Sequence, residues 1–69
     1  MTQAEQIAKY IEDYGSITPA EAFKDLGVTK LATRISEMIR DGYRVEKELV
    51  TGTNRWGHRV SYMKYKKAV

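Results

Sequence analysis

The 69-residue chain has no cysteine, one proline, one histidine, one phenylalanine and one tryptophan. Without cysteine there can be no disulfide, no thiolate zinc site and no cysteine nucleophile, and the composition fits a reducing compartment. The lone imidazole, His58, is too little for a metal centre. Glycine-rich phosphate loops and a Walker lysine are also missing, so no cofactor is expected. No apolar run approaches membrane length. The opening Met-Thr-Gln-Ala-Glu carries neither the basic flank and apolar stretch of a signal peptide nor a lipidation motif, so an intracellular protein is expected. Catalytic constellations are wanting as well. Ser16, Ser36 and Ser61 share no motif with a base, and the paired acids Glu12 and Asp13 fall on the most solvated side of a helix, away from any shared site. Neither an enzyme nor a small-molecule substrate is expected.

What remains is a chain with room for one core, spanning 1–69 as a single domain. At 42% apolar and 30% charged residues it has the balance of a globular domain. Its net charge of +3 hides a polarity. Residues 1–29 hold two bases against five acids, a net of −3, whereas residues 30–69 hold ten bases against four acids, a net of +6. Such asymmetry suits an anionic polymer, and a plain solvated surface is the alternative.

Glycines and the single proline punctuate the chain. Thr2 with Glu5 three positions on forms a capping box ahead of a helix over about 3–14, where Ala4, Ile7, Ala8, Tyr10, Ile11 and Tyr14 share one side. Gly15 ends it, and Ser16-Ile17 leaves space for a stub of strand. Thr18-Pro19-Ala20-Glu21 is a second capping box with proline at the first helical position, opening a helix over about 19–26 with an apolar stripe of Ala22, Phe23 and Leu26. A third helix is predicted over about 30–41, capped by Thr29, with Leu31, Ala32, Ile35, Met38 and Ile39 inward. After Gly42 the apolar period changes from helical to alternating, which predicts strands over about 43–51 and 59–65 joined through the turn-rich Gly52–His58.

Two short helices joined by a tight glycine-containing turn and followed by a hairpin make the layout of a winged helix-turn-helix. The expected fold is α+β, mainly α, with three helices and a two-stranded β-hairpin wing. In that layout the second helix of the pair enters the major groove and the hairpin reaches the backbone. Lys30, Thr33, Arg34 and Glu37 on the outward side of the third helix are then the candidates for base contacts, since Arg pairs bidentately with guanine, threonine offers a hydroxyl or methyl, and glutamate accepts from cytosine. Thr29, Arg40, Arg44, Arg55, Trp56, His58, Arg59 and Lys64 are the candidates for backbone or wing contacts. Simpler readings stand beside these. Arg34 and Glu37, three apart, could pair with each other on a solvated surface. Trp56 could pack on its own hairpin or meet a partner.

Ser16-Ile17-Thr18-Pro19-Ala20-Glu21-Ala22, Leu26-Gly27-Val28, Leu31-Ala32-Thr33-Arg34-Ile35 and Asp41-Gly42-Tyr43-Arg44-Val45 together resemble a family of very short helix-turn-helix proteins of bacteriophages and prophages. Asn54-Arg55-Trp56-Gly57-His58-Arg59-Val60 with Tyr65 resembles that family's wing. The resemblance covers nearly the whole chain and implies a phage or prophage origin, a bacterial cytoplasm, a winged helix fold and binding to double-stranded DNA, as a transcriptional regulator or an accessory factor in DNA transactions. A protein-binding winged helix that inhibits or recruits a host or phage protein is the competing reading, with Trp56 as its anchor. A homodimer is compatible with both, because one domain of this size spans few base pairs.

Overall fold

A computed structural model describes residues 1–68. The order of elements is α1 (Gln3–Tyr14), β1 (Ser16–Ile17), α2 (Pro19–Glu21, continued as a π-helical turn over Ala22–Leu26), α3 (Leu31–Arg40), β2 (Val45–Thr53) and β3 (Arg59–Lys67). Among the described residues no helix is long and apolar enough to cross a membrane.

Both capping boxes form. The Glu5 amide donates to the Thr2 hydroxyl (3.1 Å) and the Thr2 amide to Glu5 Oε1 (2.9 Å). These bonds, the one from the Thr2 amide first and then the one with its side chain, hold the Glu5 carboxyl below the usual carboxylate range. At the second box the Glu21 amide donates to the Thr18 hydroxyl (3.3 Å) and the Thr18 amide to Glu21 Oε1 (3.0 Å). Each box satisfies two amides that would otherwise lack a partner at a helix start.

After Glu21 the helix widens, and Val28 N–H reaches back to the Ala22 carbonyl at 3.1 Å. Gly27 sits there at φ 69°, a left-handed conformation that a Cβ would strain, and it turns the chain sharply into α3. The wide turn also corrects the expected stripe. With more than four residues per turn, Leu26 falls to the far side of Ala22 from Phe23, so Ala22 is buried, Leu26 half-buried and Phe23 63% exposed.

The core gathers Ile7, Ile11, Ile17, Ala22, Val28, Leu31, Ile35, Met38 and Tyr65. In α3 the buried residues are Leu31, Ile35 and Met38, a narrower stripe than the sequence predicts. Ala32 and Ile39 are exposed on its flank because the short elements around α3 cover one row of side chains and no more. Tyr14, expected inward, is likewise largely exposed at the end of α1, with its ring 4.6 Å from that of Tyr10. The Tyr10 hydroxyl donates to the Asp25 carboxylate at 2.7 Å and ties α1 to α2, and this bond is the main reason its pKa is pushed up to about 12.

The sheet is three-stranded and antiparallel in the order β1-β3-β2, which corrects the expected two-stranded wing. Ser16 pairs with Lys66 and Ile17 with Tyr65, so the stub after α1 becomes the third strand at the root of the hairpin. The reason is burial. Ile17 is fully buried and Tyr65 nearly so, and pairing their backbones satisfies amides and carbonyls that the core shuts off from water. β2 and β3 each run nine residues, two beyond the predicted ends toward the tip for β2 and toward the C-terminus for β3, in a register from Val45 opposite Lys67 to Thr53 opposite Arg59. Tyr43, expected in the first strand, precedes it; its amide closes the end of α3 on the Met38 carbonyl at 2.9 Å.

Candidate nucleic-acid interface

Burial of Leu31, Ile35 and Met38 against the core fixes which side of α3 meets solvent. At 100° per residue the opposite side carries Thr33, Ser36 and Arg40, with Glu37 beside them. All but Glu37 of these are exposed, and Thr29 and Lys30 continue the exposed surface ahead of the helix. Ser36 belongs to this row although sequence reasoning did not select it as a contact. The signal was available, because positions 29, 33, 36 and 40 follow the spacing i, i+4, i+7, i+11 of a single helical row.

The expected cap is corrected too. Lys30, with φ −123° and ψ 62°, holds the N-cap position and makes no side-chain bond to the helix, while Thr29 lies one residue outside. The first-turn amides of α3 thus have no side-chain acceptor at the cap, and Lys30 stands next to them.

Arg34 is engaged within the molecule. Its Nη1 donates to Glu37 Oε1 at 2.6 Å and its Nε to Gln3 Oε1 at 3.1 Å, with roughly two fifths of each charged side chain in that pair exposed. The guanidinium therefore lies on the flank of α3 toward the start of α1, with its charge met by Glu37. Among the predicted base contacts, Lys30 and Thr33 project freely, whereas Arg34 and Glu37 form a unit.

The wing is divided by its register. Directly opposite residues share a face and neighbours alternate, so Val45, Lys47, Leu49, Thr51, Thr53, Arg59, Ser61, Met63, Tyr65 and Lys67 lie on the face that meets the core at Tyr65. Lys64 and Lys66 lie on the reverse face with Glu46 and Glu48, where Lys66 pairs with Glu48 at 4.0 Å. Arg59 and Lys64 are thus on opposite sides of the hairpin. Lys47 shares the face of Arg59; sequence reasoning passed over it, although an even separation between 47, 49 and 51 would have grouped them. Arg44 sits at the root, where its carbonyl accepts from the Ala68 amide at 3.1 Å and where it borders a groove of about 370 Å³ with Ile11, Tyr43 and Val45.

The tip is tightly organised. Asn54 Oδ1 accepts from the amides of Trp56 and His58, each at 3.0 Å, while the Asn54 amide donates to the His58 carbonyl at 2.9 Å. Gly57 completes the turn at φ 79°. Trp56 is 75% exposed, and the Arg55 guanidinium lies 5.9 Å from its ring centroid. Arg55, Trp56, His58 and Arg59 are all brought together at this end.

Three helices with a sharp turn between the second and third, and a projecting antiparallel hairpin rooted beside them, define a winged helix-turn-helix. The family model of winged helix-turn-helix domains matches residues 2–66, nearly the full length, and the chain belongs to that family. Membership suggests DNA as partner. No curated protein matches the chain significantly, and no solved structure does.

Proposed function

We propose that this protein is a small DNA-binding regulator, or an accessory factor in DNA transactions, of the phage type its sequence resembles. In this reading α3 enters the major groove and the wing lies along the backbone. The observation that carries it is the uncovered row of Thr33, Ser36 and Arg40 on α3, next to Lys30 and to a projecting hairpin with cations at its end. Lys30, Thr33 and Ser36 address base edges, and Arg34 with Glu37 does so as a hydrogen-bonded pair. Thr29, Arg40, Arg55, Trp56, His58 and Arg59 serve the backbone and wing, while Arg44 at the root of the hairpin and Lys64 on its reverse face stand outside that contact set.

Selection of bound molecules from a random duplex pool tests this reading. Enrichment of a motif is expected, and a palindrome would add that two copies bind together. A pool without enrichment would overturn it. One observation favours a second reading, docking on a protein. Met1, Tyr10, Tyr14 and Leu26 border a shallow groove, and Met1 and Tyr14 are about three quarters exposed. In that case a nuclease-resistant complex with one protein partner would be lost on Tyr14→Ser and kept on Arg40→Ala.

A further inference from the structure

We infer that the wing tip is a stacking site for a nucleobase that is already out of the helical stack, and that the DNA this protein prefers carries such a base. The inference rests on the DNA-binding reading and adds the kind of DNA. It begins with Trp56, the sole tryptophan of the chain. An indole buries a large apolar area when it has a partner, and Trp56 is 75% exposed with the Arg55 guanidinium 5.9 Å from its ring centroid. The backbone that carries it is fixed. Four hydrogen bonds close the turn, from Trp56 N and His58 N to Asn54 Oδ1, from Asn54 N to the His58 carbonyl and from Gly57 N to the Asn54 carbonyl. A ring held out on a rigid turn loses little freedom when it binds, which is the property of an anchor.

The surroundings select the partner. Arg55, His58 and Arg59 stand within three residues of Trp56 and no acid lies between Glu48 and the C-terminus, so the tip meets an anionic ligand with an aromatic face. An apolar protein groove would leave the Arg55 and Arg59 guanidinium groups without counter-charges. A nucleotide answers both needs, with its base on the ring and its phosphate beside the guanidinium groups.

Reach and energetics then narrow the kind of DNA. The hairpin leaves the core at the Leu49–Met63 pair, and four further pairs carry it to Thr53 and Arg59. At roughly 3.4 Å per residue these extend it by about 14 Å, with the turn beyond. That approaches about half of a DNA turn of roughly 35 Å, the distance from one groove to the next on the same side. With α3 in the major groove, Trp56 on this projecting hairpin then meets stacked base pairs outside the ones α3 reads. Forcing an indole between stacked pairs requires unstacking them, and a domain of this size makes few other contacts to offset that. A bulge or a gap supplies an unpaired base at a lower cost.

Intrinsic fluorescence tests this directly, because all tryptophan emission comes from Trp56. The full chain is titrated with an intact 24-base-pair duplex and with the same duplex carrying one central single-base bulge, and affinities are measured in parallel by anisotropy. Expected are quenching of Trp56 on the bulged duplex and tighter binding to it on the order of tenfold, the worth of one base–aromatic stack. Trp56→Ala should bring the two affinities together and Trp56→Phe should restore part of the preference; both replace an exposed side chain and leave the core untouched. Equal affinity for the two duplexes, or binding without quenching, would overturn the inference and leave the DNA-binding reading standing. Failure to bind either duplex would overturn both.

Discussion

The division of the hairpin into two faces makes a quantitative prediction about salt. Five cations stand free on α3, on the leading face of the wing beyond its root, and at its tip: Lys30, Arg40, Lys47, Arg55 and Arg59; Arg44 and Lys67 sit at the root, beside the first strand pair, and are not counted. Arg34 is not counted because Glu37 neutralises it at 2.6 Å, and Lys64 and Lys66 are not counted because they lie on the reverse face with Glu46 and Glu48. If each neutralises one phosphate, log K against log salt has a slope of about −4.5, and affinity falls by about 500-fold between 50 and 200 mM salt. Anisotropy of a labelled duplex across that range reads the slope. Arg59→Ala should make it shallower by about 0.9, whereas Lys66→Ala should leave it where it was. A slope near zero, or one that responds to Lys66 and ignores Arg59, would refute the assignment of the leading face.

Further expectations concern the scaffold. Ile35 is fully buried in the stripe that aims α3, so Ile35→Ala should cost about 2–5 kcal/mol in denaturant unfolding, while the neighbouring Ser36→Ala should change stability by less than about 0.5 kcal/mol and alter the selected motif. Gly57 sits at φ 79° and Gly52 does not have a positive φ, and neither has a neighbour within 4 Å of an added Cβ. Gly57→Ala should therefore destabilise the hairpin by about 1 kcal/mol and Gly52→Ala stabilise it by roughly 0.5 kcal/mol, as read from thermal unfolding. Because Tyr10 titrates near 12 when folded and near 10 otherwise, its bond to Asp25 stabilises the fold fully below pH 10 and is lost as pH rises toward 12. The stability difference between the natural chain and Tyr10→Phe should thus shrink between pH 8 and pH 12, and a difference independent of pH would count against that bond.

The parts of the fold legible in the sequence were those set by neighbours a few residues apart. Thr2 with Glu5 and Thr18 with Glu21 announce their helices because a cap is a local bargain between a hydroxyl, a carboxylate and two amides. The start of α3 falls one residue later than the sequence suggests, since no side chain caps it and Thr29 is a residue type that caps helices. The role of β1 was not legible at all: two residues carry no period, and their partners Lys66 and Tyr65 are about fifty residues away. The same holds for Arg34, whose bond to Gln3 spans 31 residues. At the candidate site, the outward row of α3 could be drawn from helical spacing, and the separation of Arg59 from Lys64 follows from strand parity once the register is known. The closure of the tip around Asn54 needed the structure, because it depends on which carbonyl oxygen meets which amide.

The two residues of β1 also decide when an entropic cost is incurred. Ser16 and Ile17 connect α1 to the helix-turn-helix and, through Lys66 and Tyr65, fasten the base of the wing to the same segment. The helix that faces the groove and the hairpin that flanks it are thereby aligned during folding, before any DNA arrives. A hairpin joined to α3 through residues 41–44 alone would have to be oriented anew at each encounter, and complexes would form more weakly for the same set of contacts.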